Sequence, residues 1–274
     1  MISFDFAYYR PDTLEEAIDC FQRLTKKNQK VIYYGGGTEI ISMARAESIQ
    51  FDAVIDLKWI PECTTLKLDQ DNYIIGSMNS LTTIAEAGYF PLLCKTITRI
   101  ADHTTQGKIT IGGNLKSTII YREATLPLMV TNCKIKIMTA KGLLTLPFPQ
   151  IWNGQLDLQP EEFLVQIVIN IDDINLPYVH AKRTKMDRID YPLITLVGNK
   201  KNQFIQAAIS GASNNPLLLD SEILNSSLSN EDKIRSIIDQ IDHSLMSDIQ
   251  GSKEYRKFVL SNMMSQMFAK LKDK

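Results

Sequence analysis

The stretch Ile32-Tyr33-Tyr34-Gly35-Gly36-Gly37-Thr38-Glu39-Ile40 decides how this chain is read. Val31 to Tyr34 is an apolar run and reads as the end of a buried strand. The three glycines that follow carry no Cβ, so the backbone is free to take positive φ and to let another group approach closely. Beyond Thr38 and Glu39 an apolar pattern resumes at Ile40, Ile41 and Met43, which predicts a helix from about residue 39 to 47. Successive N–H groups turned inward by such a loop form a concave anion site suited to phosphate. The same residues also make a plain tight turn, and one GGG does not separate the two readings. Neither standard nucleotide motif fits. The G-x-G-x-x-G fingerprint would need its third glycine where Ile40 stands, and no G-x-x-x-x-G-K-[ST] occurs.

Working outward, Met1 to Tyr9 alternates apolar and polar residues and predicts a strand. Thr13-Leu14-Glu15-Glu16 is a capping box, and Leu14, Ala17, Ile18 and Phe21 keep helical spacing over residues 13 to 25. Lys26 to Lys30 is a charged turn, and Ala53 to Leu57 a further strand. Alternating strands and helices in so short a span give a small α/β unit. From Thr64 the texture changes. Residues 66 to 76 read as a hairpin turning at Asp69 to Asn72, and residues 80 to 87 and 91 to 102 as helices. Lys108-Ile109-Thr110-Ile111-Gly112-Gly113-Asn114 is a second glycine stretch, read as a β-branched strand running into a glycine turn. Residues 133 to 138 form a two-period strand with a hairpin turn at Lys141-Gly142, and Phe163 to Ile171 another strand. Strands at 178 to 185, 193 to 197 and 204 to 209 precede a helical end. There Ile234, Ile237, Ile238, Ile241 and Leu245 form one apolar stripe, and Val259, Met263, Met267 and Leu271 part of another. The methionines suit core filling or an adaptable partner surface.

With 274 residues, 44% hydrophobic content and a net charge of −1, the chain has the composition of a globular protein of one large or two smaller domains. Near-neutral charge gives no electrostatic case for nucleic acid or an anionic membrane. No run approaches the roughly 18 apolar residues of a spanning helix, and the N-terminus lacks a signal-peptide core. Cys20, Cys63, Cys94 and Cys133 are too dispersed for a local zinc or iron–sulfur signature and suit reduced thiols in a cytoplasm. His103, His180 and His243 are scattered, so no metal site or Ser-His-Asp triad is expected.

The two glycine stretches together resemble the FAD-binding medium subunits of molybdenum hydroxylases, of the xanthine dehydrogenase and carbon monoxide dehydrogenase types. The family's first flavin loop, A/G-G-G-T-D/E, stands here as Gly35-Gly36-Gly37-Thr38-Glu39, and its T-I-G-G-N stands intact as Thr110-Ile111-Gly112-Gly113-Asn114. Ile55-Asp56-Leu57 with Ile60-Pro61-Glu62, Ile75-Gly76 with Leu81-Thr82-Thr83-Ile84, and Glu161-Glu162-Phe163-Leu164 resemble further family segments, so the likeness runs along nearly the whole chain. The resemblance implies an α+β protein with a vanillyl-alcohol-oxidase (PCMH-type) FAD-binding fold. Its FAD domain would span residues 1–165, as α/β subdomains of about 1–60 and 61–165, followed by a C-terminal α+β domain over 166–274. It implies FAD contacts at Tyr33, Tyr34, Gly35, Gly36, Gly37, Thr38, Glu39 and Ile40, and at Thr110, Ile111, Gly112, Gly113 and Asn114, with both loops donating N–H groups to the pyrophosphate. Two departures bear on the remaining contacts. The family's Asp nine residues after the T-I-G-G-N asparagine is here Glu123, and its K-x-x-x-R-R is here Lys182-Arg183-Thr184-Lys185-Met186-Asp187, keeping only the lysine. Glu123 and Lys182 are carried over as flavin contacts on this basis. No acid–base residue and no metal ligand is implied. The implied work is electron transfer from a 2Fe–2S small subunit, fed by a molybdenum-cofactor large subunit, through FAD to NAD+ or another acceptor. A stand-alone FAD oxidoreductase and a flavin-free assembly subunit are the alternatives.

Overall fold

Thr13 starts the first helix as its sequence predicts. Its Oγ1 accepts from the Glu16 N–H at 3.1 Å, while the Glu16 carboxylate reaches past Thr13 to the N–H of Asp12. The helix, α1 (Leu14–Thr25), buries Leu14, Ala17, Ile18, Cys20, Phe21 and Leu24. It belongs to a three-stranded parallel sheet of β1 (Ala7–Tyr9), β2 (Val31–Tyr34) and β3 (Ala53–Asp56), in the order β1-β3-β2. The strand expected over residues 1–9 shrinks to Ala7–Tyr9, because β3 has few residues to pair with. Phe4 and Phe6 instead pack their rings against Phe51. Helix α2 (Thr38–Arg45) leaves β2 through Gly37, whose φ of +72° is the left-handed conformation that favours glycine.

The computed structural model describes residues 1–186 and 190–272, so Asp187 of the K-x-x-x-R-R counterpart lies outside the described residues. The chain divides into two compact units that do not follow chain order. The first takes residues 1–87, 103–117 and 133–170, and the second takes 88–102, 118–132 and 171 onward. Besides the parallel sheet, the first unit holds five antiparallel strands. These are β4 (Leu66–Asp69), β5 (Asn72–Gly76), β6 (Lys134–Thr139), β7 (Gly142–Pro147) and β8 (Phe163–Asn170), in the order β4-β5-β8-β6-β7. β8 straddles residue 165 and sits at the centre of this sheet, where Phe163 and Val165 pack with Met138 against α1.

The second unit is built on β9 (Tyr178–Thr184), β10 (Pro192–Lys201), β11 (Phe204–Ser210) and β12 (Leu217–Leu218), antiparallel in the order β12-β11-β10-β9. The β10–β11 hairpin turns at Asn202 and Gln203, both at positive φ, the twist-matched geometry of a two-residue hairpin loop. Helices Asn230–Ile241 and Lys253–Lys272 cover the sheet. Met263, Met264 and Met267 are buried with Leu260 and Leu271, so these methionines fill the core. Among the described residues no helix is long and apolar enough to cross a membrane.

Candidate functional site

Parallel strands place their functional loops at the carboxyl edge of the sheet, where the chain turns from strand to helix. Gly35–Gly37 occupies that position after β2. The second glycine stretch meets it. A Cβ on Gly36 would lie 1.7 Å from the Lys108 carbonyl oxygen, and one on Gly35 would lie 2.8 Å from Thr110 Oγ1. Only glycine allows the two backbones to come this close. Ser117, just past the second stretch, donates to the Glu39 carboxylate at 2.5 Å, a second tie between the stretches.

The second stretch is not the strand-and-turn its β-branched residues predict. Thr110 makes an isolated bridge with Ser80 and then caps a helix, Ile111–Lys116, accepting from the Gly113 N–H at 3.2 Å. Its amides from Ile111 to Asn114 are engaged within the protein. Ile111 donates to Asn79 O, Gly112 to Ser77 O at 2.8 Å, and Asn114 to Thr110 O. The glycines serve close packing instead, since a Cβ on Gly112 would sit 2.8 Å from both Cβ and O of Ser77. Among the described residues, the amides of Gly36, Gly37, Thr38 and Ile40 in the first loop have no acceptor, while those of Ile111, Gly112, Gly113 and Asn114 in the second are engaged. What the second stretch offers is the Asn114 side chain, whose Oδ1 is buried without a partner. Buried polar atoms are rarely left so, and a group bound here would complete it. Unengaged amides at the start of α2, with an orphaned amide oxygen on the stretch that packs against the loop, fit the phosphates and adjoining polar groups of a dinucleotide.

Adjacent residues on a strand face opposite ways, and the two tyrosines differ accordingly. Tyr33 stacks on Phe21 (5.1 Å between centroids), packs against Phe163, and donates its hydroxyl to Glu161 O. Burial drives its pKa up. Its side chain is thus core framework. Tyr34 folds over the loop, its hydroxyl filling the space where a Gly37 Cβ would be.

Glu123 and Lys182 both belong to the second unit, and they are hydrogen-bonded to each other. Lys182 on β9 and Thr195 on β10 are direct cross-strand partners, so their side chains share a face. Both grip Glu123. Lys182 Nζ donates to Oε2 at 2.9 Å and Thr195 Oγ1 to Oε1 at 2.5 Å. Lys182 also donates to Arg99 O at 2.7 Å, and the paired side chains are 1% and 3% exposed. Burial pushes the Glu123 carboxyl up, against the lowering effect of the Lys182 charge and the Thr195 hydrogen bond. The two residues that the resemblance implies as flavin contacts thus meet in a buried ion pair.

His180 shares their face of β9, and among the described residues its buried Nε2 has no partner. Burial, and then the positive charges of Arg99, Lys95 and Lys182, lower its pKa from 6.5 to about 4. The folded unit keeps the imidazole neutral, whereas the unfolded chain protonates it below pH 6.5. Stability is fully present above pH 6.5 and is lost as pH falls toward 4, by about 3 kcal/mol across that window. His180→Phe is expected to flatten this part of the profile. Urea midpoints taken at pH 7 and pH 4 check it, and an unchanged acid slope would count against the assignment.

Residues 4–169 match the family described as the FAD binding domain in molybdopterin dehydrogenase. Over 170 residues the chain is 25% identical to the xanthine dehydrogenase FAD-binding subunit of Escherichia coli O157:H7, covering 59% of this chain and 57% of that one. Over 190 residues it is 20% identical to the nicotinate dehydrogenase FAD-subunit of Eubacterium barkeri, covering 66% and 64%. The matches thus span less than two thirds of these relatives. Among solved structures, carbon monoxide dehydrogenase from Hydrogenophaga pseudoflava superposes with a TM-score of 0.85 over 100% of this chain and 99% of that chain, at 18% identity. Quinoline 2-oxidoreductase from Pseudomonas putida 86 gives 0.83 over 99% and 98%, also at 18%. At that identity the likeness is one of fold, and the α+β organisation expected above is the observed one.

Proposed function

The chain belongs to the family of FAD-binding domains of molybdopterin dehydrogenases, and from that membership we propose that it holds FAD as the flavoprotein subunit of a molybdenum hydroxylase. Its relatives' names support a xanthine or related heterocycle dehydrogenase. In this reading electrons arrive from a 2Fe–2S small subunit, fed by a molybdenum-cofactor large subunit, and leave for NAD+ or another acceptor. FAD supplies the exchange between single electrons and electron pairs, and the protein supplies binding and orientation. The observation that carries the reading is the set of unengaged amides at Gly36, Gly37 and Thr38, in a loop that its glycines bring against Lys108 and Thr110 of the second stretch. Those amides donate to the diphosphate. Thr110 and Gly112 hold the loop's counterface in place, and the Asn114 side chain takes a polar group of the dinucleotide.

The full chain, purified, is expected to show a flavin absorbance spectrum and to release FAD on acid treatment. Supplied with FAD at about 100 times its Kd, the colourless apoprotein gains about 2.7 kcal/mol of stability. Protein that stays colourless and gains no thermal stability from added FAD overturns the proposal.

A further inference from the structure

Lys58 follows β3 in a short 3-10 turn, and its surroundings do not suit a phosphate-binding lysine. Its Nζ donates to Asp56 Oδ1 at 2.8 Å and to the carbonyl oxygen of Gly35 at 2.8 Å, and lies 4.4 Å from the centre of the Tyr34 ring. Asp56 is buried, and it also accepts from the Lys58 N–H and, through Oδ2, from the Tyr8 hydroxyl at 2.5 Å. The lysine charge is therefore matched within the first unit, and its donors point at the loop rather than past it.

The consequence follows from peptide geometry. The carbonyl of Gly35 and the N–H of Gly36 belong to one planar, trans unit, so fixing one direction fixes the other as its opposite. Glycine on both sides leaves this peptide free to flip unless something holds it. We propose that Lys58, locked by Asp56, is a positioning residue that holds the Gly35 carbonyl so that the Gly36 amide faces the diphosphate of the bound dinucleotide. The inference rests on the FAD reading above. It assigns the loop's direction to a side chain outside both glycine stretches. Lys58 would act without touching the ligand, and its effect should follow the diphosphate rather than the ring system.

The test compares FAD with riboflavin, which lacks the diphosphate, on the full apoprotein by flavin-fluorescence quenching. Hydrogen bonds made by charged donors are worth about 1.5–3 kcal/mol. Lys58→Met is therefore expected to weaken FAD binding roughly 10- to 100-fold while changing riboflavin binding less than twofold. Lys58→Arg, which keeps a charged donor, should restore FAD affinity to within a few-fold. Equal losses for both ligands, or FAD affinity within twofold of the unsubstituted chain, overturn the positioning role. Should Lys58→Met melt earlier, the Lys58→Arg comparison and the FAD-to-riboflavin ratio still decide. If the unsubstituted chain binds riboflavin and FAD equally well, the diphosphate reading fails along with the inference. If it prefers FAD and only the variants behave alike, the inference fails alone.

Discussion

Gly36→Ala is expected to destabilise the first unit by more than about 3 kcal/mol and to lower its melting temperature by on the order of 10 °C. The added Cβ would stand 1.7 Å from the Lys108 carbonyl oxygen, 2.8 Å from its carbon and 3.2 Å from the Thr110 nitrogen. Carbon and carbonyl oxygen normally approach no closer than about 3.3 Å, so the backbones must separate by roughly 1.6 Å. All three neighbours are main chain, and none can rotate aside as a side chain would. The displaced segment carries the Thr110 cap of helix Ile111–Lys116, so the disturbance spreads to the Gly112–Ser77 contact. Gly107→Ala is the control. There a Cβ meets nothing nearer than 3.4 Å, and a change within about 0.5 kcal/mol is expected. Urea denaturation of the two variants measures the difference, and FAD affinity should fall at least tenfold in the first and hold in the second. A Gly36→Ala protein as stable as the Gly107→Ala protein would mean that the two stretches do not touch.

That contact shows how far the sequence could be read. The spacing of Leu14, Ala17, Ile18 and Phe21 identified α1, and alternation with turn residues identified the β4–β5 and β6–β7 hairpins, because these signals are local. The first glycine loop was legible for the same reason. The helix at Ile111–Lys116 was not. Ile109, Thr110 and Ile111 favour strands and two glycines disfavour helix, and the Thr110 cap and the Ser77 and Asn79 carbonyls prevailed over those preferences. Lys58 gave no signal, since a lysine between Leu57 and Trp59 looks like any surface charge until Gly35 is seen beside it. Arg256 was missed too. It lies fully buried, donating to Leu193 O, Gly211 O and Asp248, but helical periodicity only told which residues share a face. Nor did the order of residues tell that 88–102 and 118–132 join the second unit.

Glu123 and Lys182, 59 residues apart, were each identified in the sequence but not as a pair. Their coupling predicts a large and non-additive effect. Glu123→Leu leaves the Lys182 ammonium buried without its counter-ion and should destabilise the second unit by about 3–5 kcal/mol. Lys182→Met leaves the carboxyl with the Thr195 hydroxyl as hydrogen-bond partner and the field of Arg99, and its loss depends on pH. Burial already holds the Glu123 pKa above its ordinary 4.5, and removing the lysine charge raises it further. An acid whose folded pKa exceeds its unfolded one binds more protons when folded, so stability falls as pH rises from about 4.5 through the folded value. Lys182→Met should therefore be nearest the unsubstituted protein at pH 5 and worst at pH 8, with a slope approaching 1.4 kcal/mol per pH unit between. The double variant replaces the ion pair with apolar side chains of similar volume, a change that is often close to neutral. Its loss at pH 8 should be smaller than the sum of the single losses by at least 3 kcal/mol. Urea titrations of the four proteins at pH 5 and pH 8 close the cycle. Strict additivity at both pH values would show that the two charges do not sense each other and that the ion pair does not couple them.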